Sequence, residues 1–282
     1  MNIQWFPGHM TKAVRMMSDN VKLVNGVVYV LDARAVISCI NPTFDKIIGD
    51  KPVLYAVNKI DLVEKSDLDK WRNYFESNKL NYVFIDSTNN ANGKVMVNKI
   101  NALLSDVVEK YKAKGVNKTL RVMIVGIPNC GKSTLINCIC KSKRAITGDK
   151  AGVTKGKQWV TVSDGLELLD TPGTLCPAFD NQTIAENIAF IGGINENILD
   201  NGDLCLALIE RLTLICPELL RTRYNLSVLE DTPLKTYEAI AKSRGFLLKG
   251  GDYDYERCAK AVIDDFRKQK IGKIMLDFPP QK

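Results

Sequence analysis

A doubly wound α/β domain followed by an all-α domain is the fold this sequence predicts, and three observations predict it. Apolar runs of strand length, such as Val27 to Leu31 and Val122 to Val125, alternate with segments of helical period. Polar residues stand at the C-terminal end of run after run, the edge at which open α/β sheets bind ligands. Beyond residue 177 the strand-like runs stop and helical periodicity remains.

Size and composition agree with two domains. A chain of 282 residues with 45% hydrophobic and 25% charged residues can bury two ordinary cores, expected over 1–177, with an N-terminal arm over 1–9, and over 178–282. No run of 18 apolar residues appears and the start, MNIQWFPGHM, lacks the regions of a signal peptide, so a soluble, cytoplasmic protein without membrane contact is expected. The eight cysteines show no CxxC pair and the chain has one histidine. Neither a zinc site nor disulfides are expected, and the thiols read as reduced, small apolar residues. A monomer is expected.

The net charge of +7 is uneven: residues 1–177 hold 25 Lys/Arg against 16 Asp/Glu, and 178–282 hold 14 against 16. Lys141, Lys143, Arg144, Lys150, Lys155 and Lys157 crowd seventeen residues with one acid, Asp149. Such a run is either a solvated face or a contact for nucleic-acid phosphates.

In chain order, Trp5-Phe6-Pro7-Gly8-His9 reads as an extended arm, leading into an amphipathic helix with Met10, Val14, Met17 and Val21 on one face. Val27 to Leu31 and Pro52 to Val57 are buried-strand runs ending in Asp32-Ala33-Arg34 and Asn58-Lys59-Ile60-Asp61. A helix over Leu68 to Ser77, a strand Tyr82 to Ile85 ending in Asp86-Ser87-Thr88, and a single helix from Lys94 to Tyr111 continue the alternation. Residues 112–118 are a linker, Val122 to Val125 a strand and Thr134 to Cys140 a helix. Gln158 to Val162 and Glu167 to Leu169 read as strands, the second ending in Asp170-Thr171-Pro172-Gly173. Leu204 to Ile215, Leu234 to Ala241 and Asp254 to Lys270 read as helices.

The organising stretch is Gly126-Ile127-Pro128-Asn129-Cys130-Gly131-Lys132-Ser133, set between a strand and a helix. Its glycines let backbone N–H groups from Asn129 through Thr134 turn toward a polyphosphate. Lys132 reaches the β/γ oxygens, and the Ser133 hydroxyl can hold Mg²⁺. Asp170 is the Mg²⁺-side acid, Thr154 the plausible switch threonine on the same ion, and the Gly173 N–H can meet a γ-phosphate. Asn58-Lys59-Ile60-Asp61 is then a base reader. The Asp61 carboxylate can accept the N1–H and exocyclic N2–H₂ of guanine, Asn58 braces the loop, and Lys59 lies along the base. Ser87 is placed to help the same loop through backbone N–H groups. Alone, NKxD is also an ordinary helix start, and a threonine in a loop is unremarkable.

The order of the parts is unusual: base reader, Ser87 loop, cradle, Thr154, DTPG. Ordinary GTPases run the other way, so the domain reads as a P-loop GTPase with circularly permuted motif order, which keeps the site while moving the chain ends. Together with the WFPGHM start, Asp32-Ala33-Arg34, PNCGKSTL, the DTPG followed by Leu175 and Pro177, and the late Gly250-Gly251, Phe266-Arg267, Gly272 and Asp277, this order resembles the circularly permuted GTPase family of ribosome biogenesis GTPase A. The resemblance runs nearly end to end. It implies a GTPase assisting a late step of large ribosomal subunit assembly, with pre-ribosomal particles and rRNA as partners. Thr174, Cys176 and Ser38-Cys39-Ile40-Asn41 depart from the family pattern.

Thr174 stands where many GTPases carry a glutamine that orients the attacking water, and threonine is too short for that. His9 is the candidate replacement, since the resemblance assigns a matching histidine a role in hydrolysis; by spacing alone it is a helix-capping or surface residue. Asn129 is a candidate ligand, through its side-chain carbonyl, for a monovalent cation such as potassium, in line with the resemblance, or else a loop-bracing residue. The basic groups Lys242, Arg244, Lys249, Arg267, Lys268, Lys270 and Lys273 suit an RNA-docking helical module, the alternative being a structural cap on the sheet. The expected function is a GTP·Mg²⁺-gated switch with slow intrinsic hydrolysis to GDP. The alternatives are a GTP-sensing module for a protein partner and a metabolic P-loop phosphotransferase.

Overall fold

A computed structural model describes residues 3, 5–142, 158–163, 165–179 and 181–280. Its centre is a six-stranded sheet of β1 (Gly26–Asp32), β2 (Val53–Asn58), β3 (Tyr82–Ile85), β4 (Leu120–Val125), β5 (Gln158–Ser163) and β6 (Leu166–Asp170). The spatial order is β3-β2-β1-β4-β6-β5, with parallel pairing except at β5, which runs antiparallel to β6. Every residue of β1 is buried, as its unbroken apolar run requires of a strand covered on both faces. The chain builds outward from β1 to β3 and then jumps to β4 on the other side of β1. That reversal opens a crevice at the strands' C-terminal ends. Register sets polar residues there: Asp32 is opposite Asn58, and Asp170 opposite Ile124.

In this part the helices are α1 (Gly8–Asn20), α2 (Pro42–Ile48), α3 (Lys65–Ser77), α4 (Asn92–Leu103), α5 (Ser105–Lys112) and α6 (Lys132–Cys140). Three differ from the sequence expectation. Helix α1 begins at Gly8, so His9 lies in a helical first turn and not in an extended arm. The segment expected as one helix to Tyr111 is two, broken at Leu104, whose side chain is fully buried and whose backbone leaves helical geometry (φ −106°, ψ 15°). Helix α2 went unforeseen because it is short, yet its start is written in Asn41-Pro42: the Asn41 side chain accepts the Thr43 N–H at 2.9 Å and proline fills the first turn.

The C-terminal part consists of α7 (Gln182–Phe190), α8 (Asn201–Ile215), α9 (Pro217–Tyr224), α10 (Pro233–Ser243) and α11 (Tyr255–Arg267). Sequence periodicity located α8, α10 and α11 but not the shorter α7 and α9. Helix α8 is central, packed by the other four, and buries Leu204, Cys205, Leu208, Ile209 and Leu212. Helix α11 brings Cys258, Ala259, Val262, Ile263 and Phe266. Full burial of each larger aliphatic or aromatic side chain there stabilises the fold by roughly 1.5–3 kcal/mol. After α11 the chain returns to the sheet domain. Ile274 N–H donates to Leu62 O at 3.3 Å, and Leu276 N–H to Arg34 O at 2.6 Å. One buried cluster therefore runs from Ile3 to Leu276 through both parts.

Candidate functional site

The site begins where β4 runs into the loop before α6. Asn129 and Gly131 take left-handed backbone conformations (φ 60° and 98°), which turn the loop round the first turn of α6. Lys132 folds back over this loop and is 6% exposed; its Nζ donates to Gly126 O at 3.1 Å and Ile127 O at 2.8 Å. Gly173 presses against the same place, since a Cβ there would stand 2.7 Å from Pro128 Cα and 2.8 Å from Lys132 Nζ. The DTPG loop thus lies directly on the cradle. Ser133 Oγ is 3.5 Å from Asp170 Oδ2, while Asp170 Oδ1 is buried with no hydrogen-bond partner among the described residues. Burial raises the Asp170 carboxyl above its ordinary pKa, against the opposing pull of Lys132. A hard divalent cation would satisfy that oxygen and share the Ser133 hydroxyl, so these two residues fit Mg²⁺. Among the described residues no group of three His, Cys, Asp or Glu is arranged to hold a metal.

The base-reading segment is joined to the cradle by direct bonds. Asn58 Nδ2 donates to Cys130 O at 3.0 Å while Asn58 Oδ1 accepts the Ser87 N–H at 3.1 Å, tying three loops through one side chain. Asn58 occupies the space a side chain at Gly131 would need. Lys59 has φ 61°, and its Nζ donates to Asn129 O at 2.6 Å and pairs with Asp32 Oδ2 at 2.9 Å. Asp32 itself is fully buried and held on its other side by Arg34, through Nε at 2.9 Å and Nη2 at 2.8 Å. Asp61 stands in the next turn and is exposed. Its carboxyl is raised above the ordinary value by desolvation first and then by Asp86 and Asp32.

Other sequence-predicted residues are not brought to this cluster. His9 is exposed on α1 and meets Trp5 edge to face, 6.2 Å between ring centres; among the described residues no hydrogen bond joins it to the cradle. Thr154 and most of the basic run, Lys143, Arg144, Lys150, Lys155 and Lys157, lie outside the described residues. Thr174 is fully buried, and among the described residues its hydroxyl has no partner. Three C-terminal cations are less available for an RNA than expected. Arg267 is engaged by α7 and Glu196, Lys268 pairs with Asp264 at 2.8 Å, and Lys270 with Asp265 at 3.2 Å. Lys242, Lys249 and Lys273 stay exposed.

Sequence reasoning gave no role to Asp32, Arg34 or Asp277. Asp277 accepts the Ile37 and Ser38 N–H groups at 3.2 and 2.9 Å and the Ser38 hydroxyl at 2.8 Å, clamping the loop after β1. The signal for Asp32 was an acid ending a wholly apolar strand, two residues before an arginine. Asp277 entered the sequence reading only through the family resemblance, with no contact assigned to it. The positions that depart from the family pattern also meet: Cys176 Sγ donates to Asn41 Oδ1 at 3.1 Å and Asn41 Nδ2 to Thr174 O at 3.5 Å.

The eight cysteines are free thiols, and among the described residues no helix is long and apolar enough to cross a membrane. Residues 121–232 match the family model of the 50S ribosome-binding GTPase, which takes in the cradle and DTPG but not the base reader. Over its whole length the chain is similar to Ribosome biogenesis GTPase A of Priestia megaterium, 40% identical over 283 residues, 100% of this chain and 98% of that one. The Thermotoga maritima protein of the same name is 29% identical, over 98% of this chain and 95% of its own. The crystal structure of GNP-bound YlqF from T. maritima superposes with a TM-score of 0.71 at 26% identity, covering 96% of this chain and all of that one.

Proposed function

The chain belongs to the ribosome biogenesis GTPase A family and is a GTPase; from that premise we propose that it is a nucleotide-gated switch acting in late assembly of the large ribosomal subunit, binding rRNA of the precursor particle in its GTP state. The observation that carries the nucleotide half is the pair of bonds from Asn58 to Cys130 and from Lys59 to Asn129, which fuse two motifs some seventy residues apart, in inverted order, into one surface. Asp61 reads the guanine edge, and Lys59 lies along the base with its ammonium held by Asp32. The backbone of Asn129 through Thr134 cradles the phosphates. Lys132 leaves the carbonyls of Gly126 and Ile127 for the β/γ oxygens, to which its positive charge is better matched. Ser133, Asp170 and Thr154 would hold Mg²⁺, which neutralises charge developing on the phosphates.

Gly173 meets the γ-phosphate through its N–H and transmits its presence to α7. The Asn129 side chain is the proposed ligand of a potassium ion beside the phosphates. His9, carried by α1, is the proposed water-orienting group, a role supported by the side chain at Thr174 being too short to position the water. Residues 178–282 form the proposed docking module, with Lys242, Lys249 and Lys273 and the basic run over 141–157 as phosphate contacts.

Replacement of Asp61 tests the base reading. Asp61→Asn should weaken GTP by at least about a hundredfold and improve xanthosine triphosphate, whose C2 oxygen needs a donor where guanine's amino group needs an acceptor. Equal hydrolysis of ATP and GTP by the wild type would remove the base reader from the account.

A further inference from the structure

Helix α7 starts just beyond the DTPG loop and ends beside the cradle. Its last turn closes in a Schellman arrangement, with Gly193 N–H donating to Ile188 O at 2.8 Å and Gly192 N–H to Ala189 O at 3.0 Å. Gly192 sits at the left-handed position (φ 82°), so its own carbonyl is turned out of the helix. That carbonyl accepts the Asn129 side-chain N–H at 2.6 Å. An asparagine that donates on one side of its amide presents its oxygen on the other, so this bond fixes which way the Asn129 carbonyl faces.

The cap is held in turn by the C-terminal part. Arg267, the last residue of α11, donates through Nε to Phe190 O at 2.9 Å and through Nη2 to Ala189 O at 2.9 Å, and its Nη1 pairs with Glu196. A cation thus donates to two carbonyls of the helix end, Phe190 O and the Ala189 O that also accepts the Gly192 N–H, which suits the negative end of the helix dipole. A Cβ at Gly192 would lie 3.5 Å from Arg267 Cζ and 3.6 Å from Asn129 Nδ2, so the cap is packed between the two side chains.

We propose that Arg267 is a positioning residue for GTP hydrolysis, acting through the α7 cap and Gly192 to orient the Asn129 amide in the phosphate cradle. This rests on the reading of Asn129 as a group that acts on the phosphates. It makes the helical part, and whatever docks on α11, a determinant of cradle geometry through a two-bond relay. Orientation matters most when charge develops, so the relay acts on turnover more than on ground-state affinity.

A double-mutant cycle on steady-state GTP hydrolysis tests it, with Arg267→Ala, Asn129→Ala and the double variant. Each single change should lower kcat on the order of tenfold with KM for GTP held within about twofold, and the double variant should turn over no more slowly than Asn129→Ala. Arg267→Lys, which keeps the charge but not the fork that spans two carbonyls, should recover only part of the rate and also serves where the alanine variant folds poorly. Losses that multiply, or an equal rise in KM, would overturn the relay. If Asn129→Ala is slow while both Arg267 variants match the wild type, this inference alone fails. If Asn129→Ala matches the wild type, the reading of Asn129 falls and the relay with it.

Discussion

Asp32 shows how much one buried carboxylate can organise. Burial alone would raise its pKa, but Arg34 and Lys59 hold it well below the usual carboxylate range. It is the anchor that aims the Lys59 ammonium at Asn129 O. Asp32→Asn leaves two cations with their counter-charge gone, and breaking such a buried pair costs about 3–5 kcal/mol. Denaturant unfolding at neutral pH should show that loss. Because the folded pKa is depressed, the carboxylate's contribution is present above the unfolded value, about 3.9, and is lost as pH falls from there through the folded value. The gap between wild type and Asp32→Asn should therefore narrow on acidification below about pH 4. A gap that stays constant to pH 2 would place the stabilisation elsewhere. The sequence made the residue types of the candidate site legible, because a guanine and a phosphate would each demand particular donors and acceptors. It did not show the bond from Lys59 to the cradle, which depends on a left-handed backbone at a lysine.

At the scale of elements, strands were easier to read than short helices. Buried parallel strands such as β1 are continuous apolar runs, whereas α2 and α7 are seven and nine residues long and announce themselves mainly through the capping residues Asn41 and Asn181. The break at Leu104 was hidden because the apolar stripe of Met96 and Ile100 continues straight into it. Helix α1 carries the histidine proposed to orient water. Ile3 N–H donates to Gln182 Oε1 at 2.8 Å, so the segment before α1 docks on the helix that follows DTPG. His9 itself is outside the cradle, so its effect should appear only once a bound particle moves α1. His9→Ala is predicted to lower particle-stimulated turnover by about a hundredfold, the scale of a lost proton-handling or water-positioning group, while GTP affinity stays near that of the wild type. Equal losses in affinity and turnover would mark His9 as a packing partner of Trp5.

At the scale of the molecule, the inverted motif order has a structural result. The segment leaving DTPG becomes α7, and α7 leads directly into the helices around α8. The tail after α11 then returns to the loops that follow β1 and β2, with Asp277 on Ile37 and Ser38 and Gln269 Nε2 on Asp61 O at 3.1 Å. The helical part thus touches the base reader and, through Arg267, the cradle. The sequence showed two compositional halves but not this return, since buried residues such as Ile274 and Leu276 have no periodicity to assign them to a partner. Contacts at both ends of the proposed nucleotide site would give the proposed docking part a means of sensing what is bound. The most direct test is the affinity of the protein for large-subunit precursor particles, measured by co-sedimentation with a hydrolysis-resistant GTP analogue and with GDP. The account predicts binding on the order of tenfold or more tighter with the analogue, the size of an ordinary coupling between two sites, and equal binding in the two nucleotide states would contradict it.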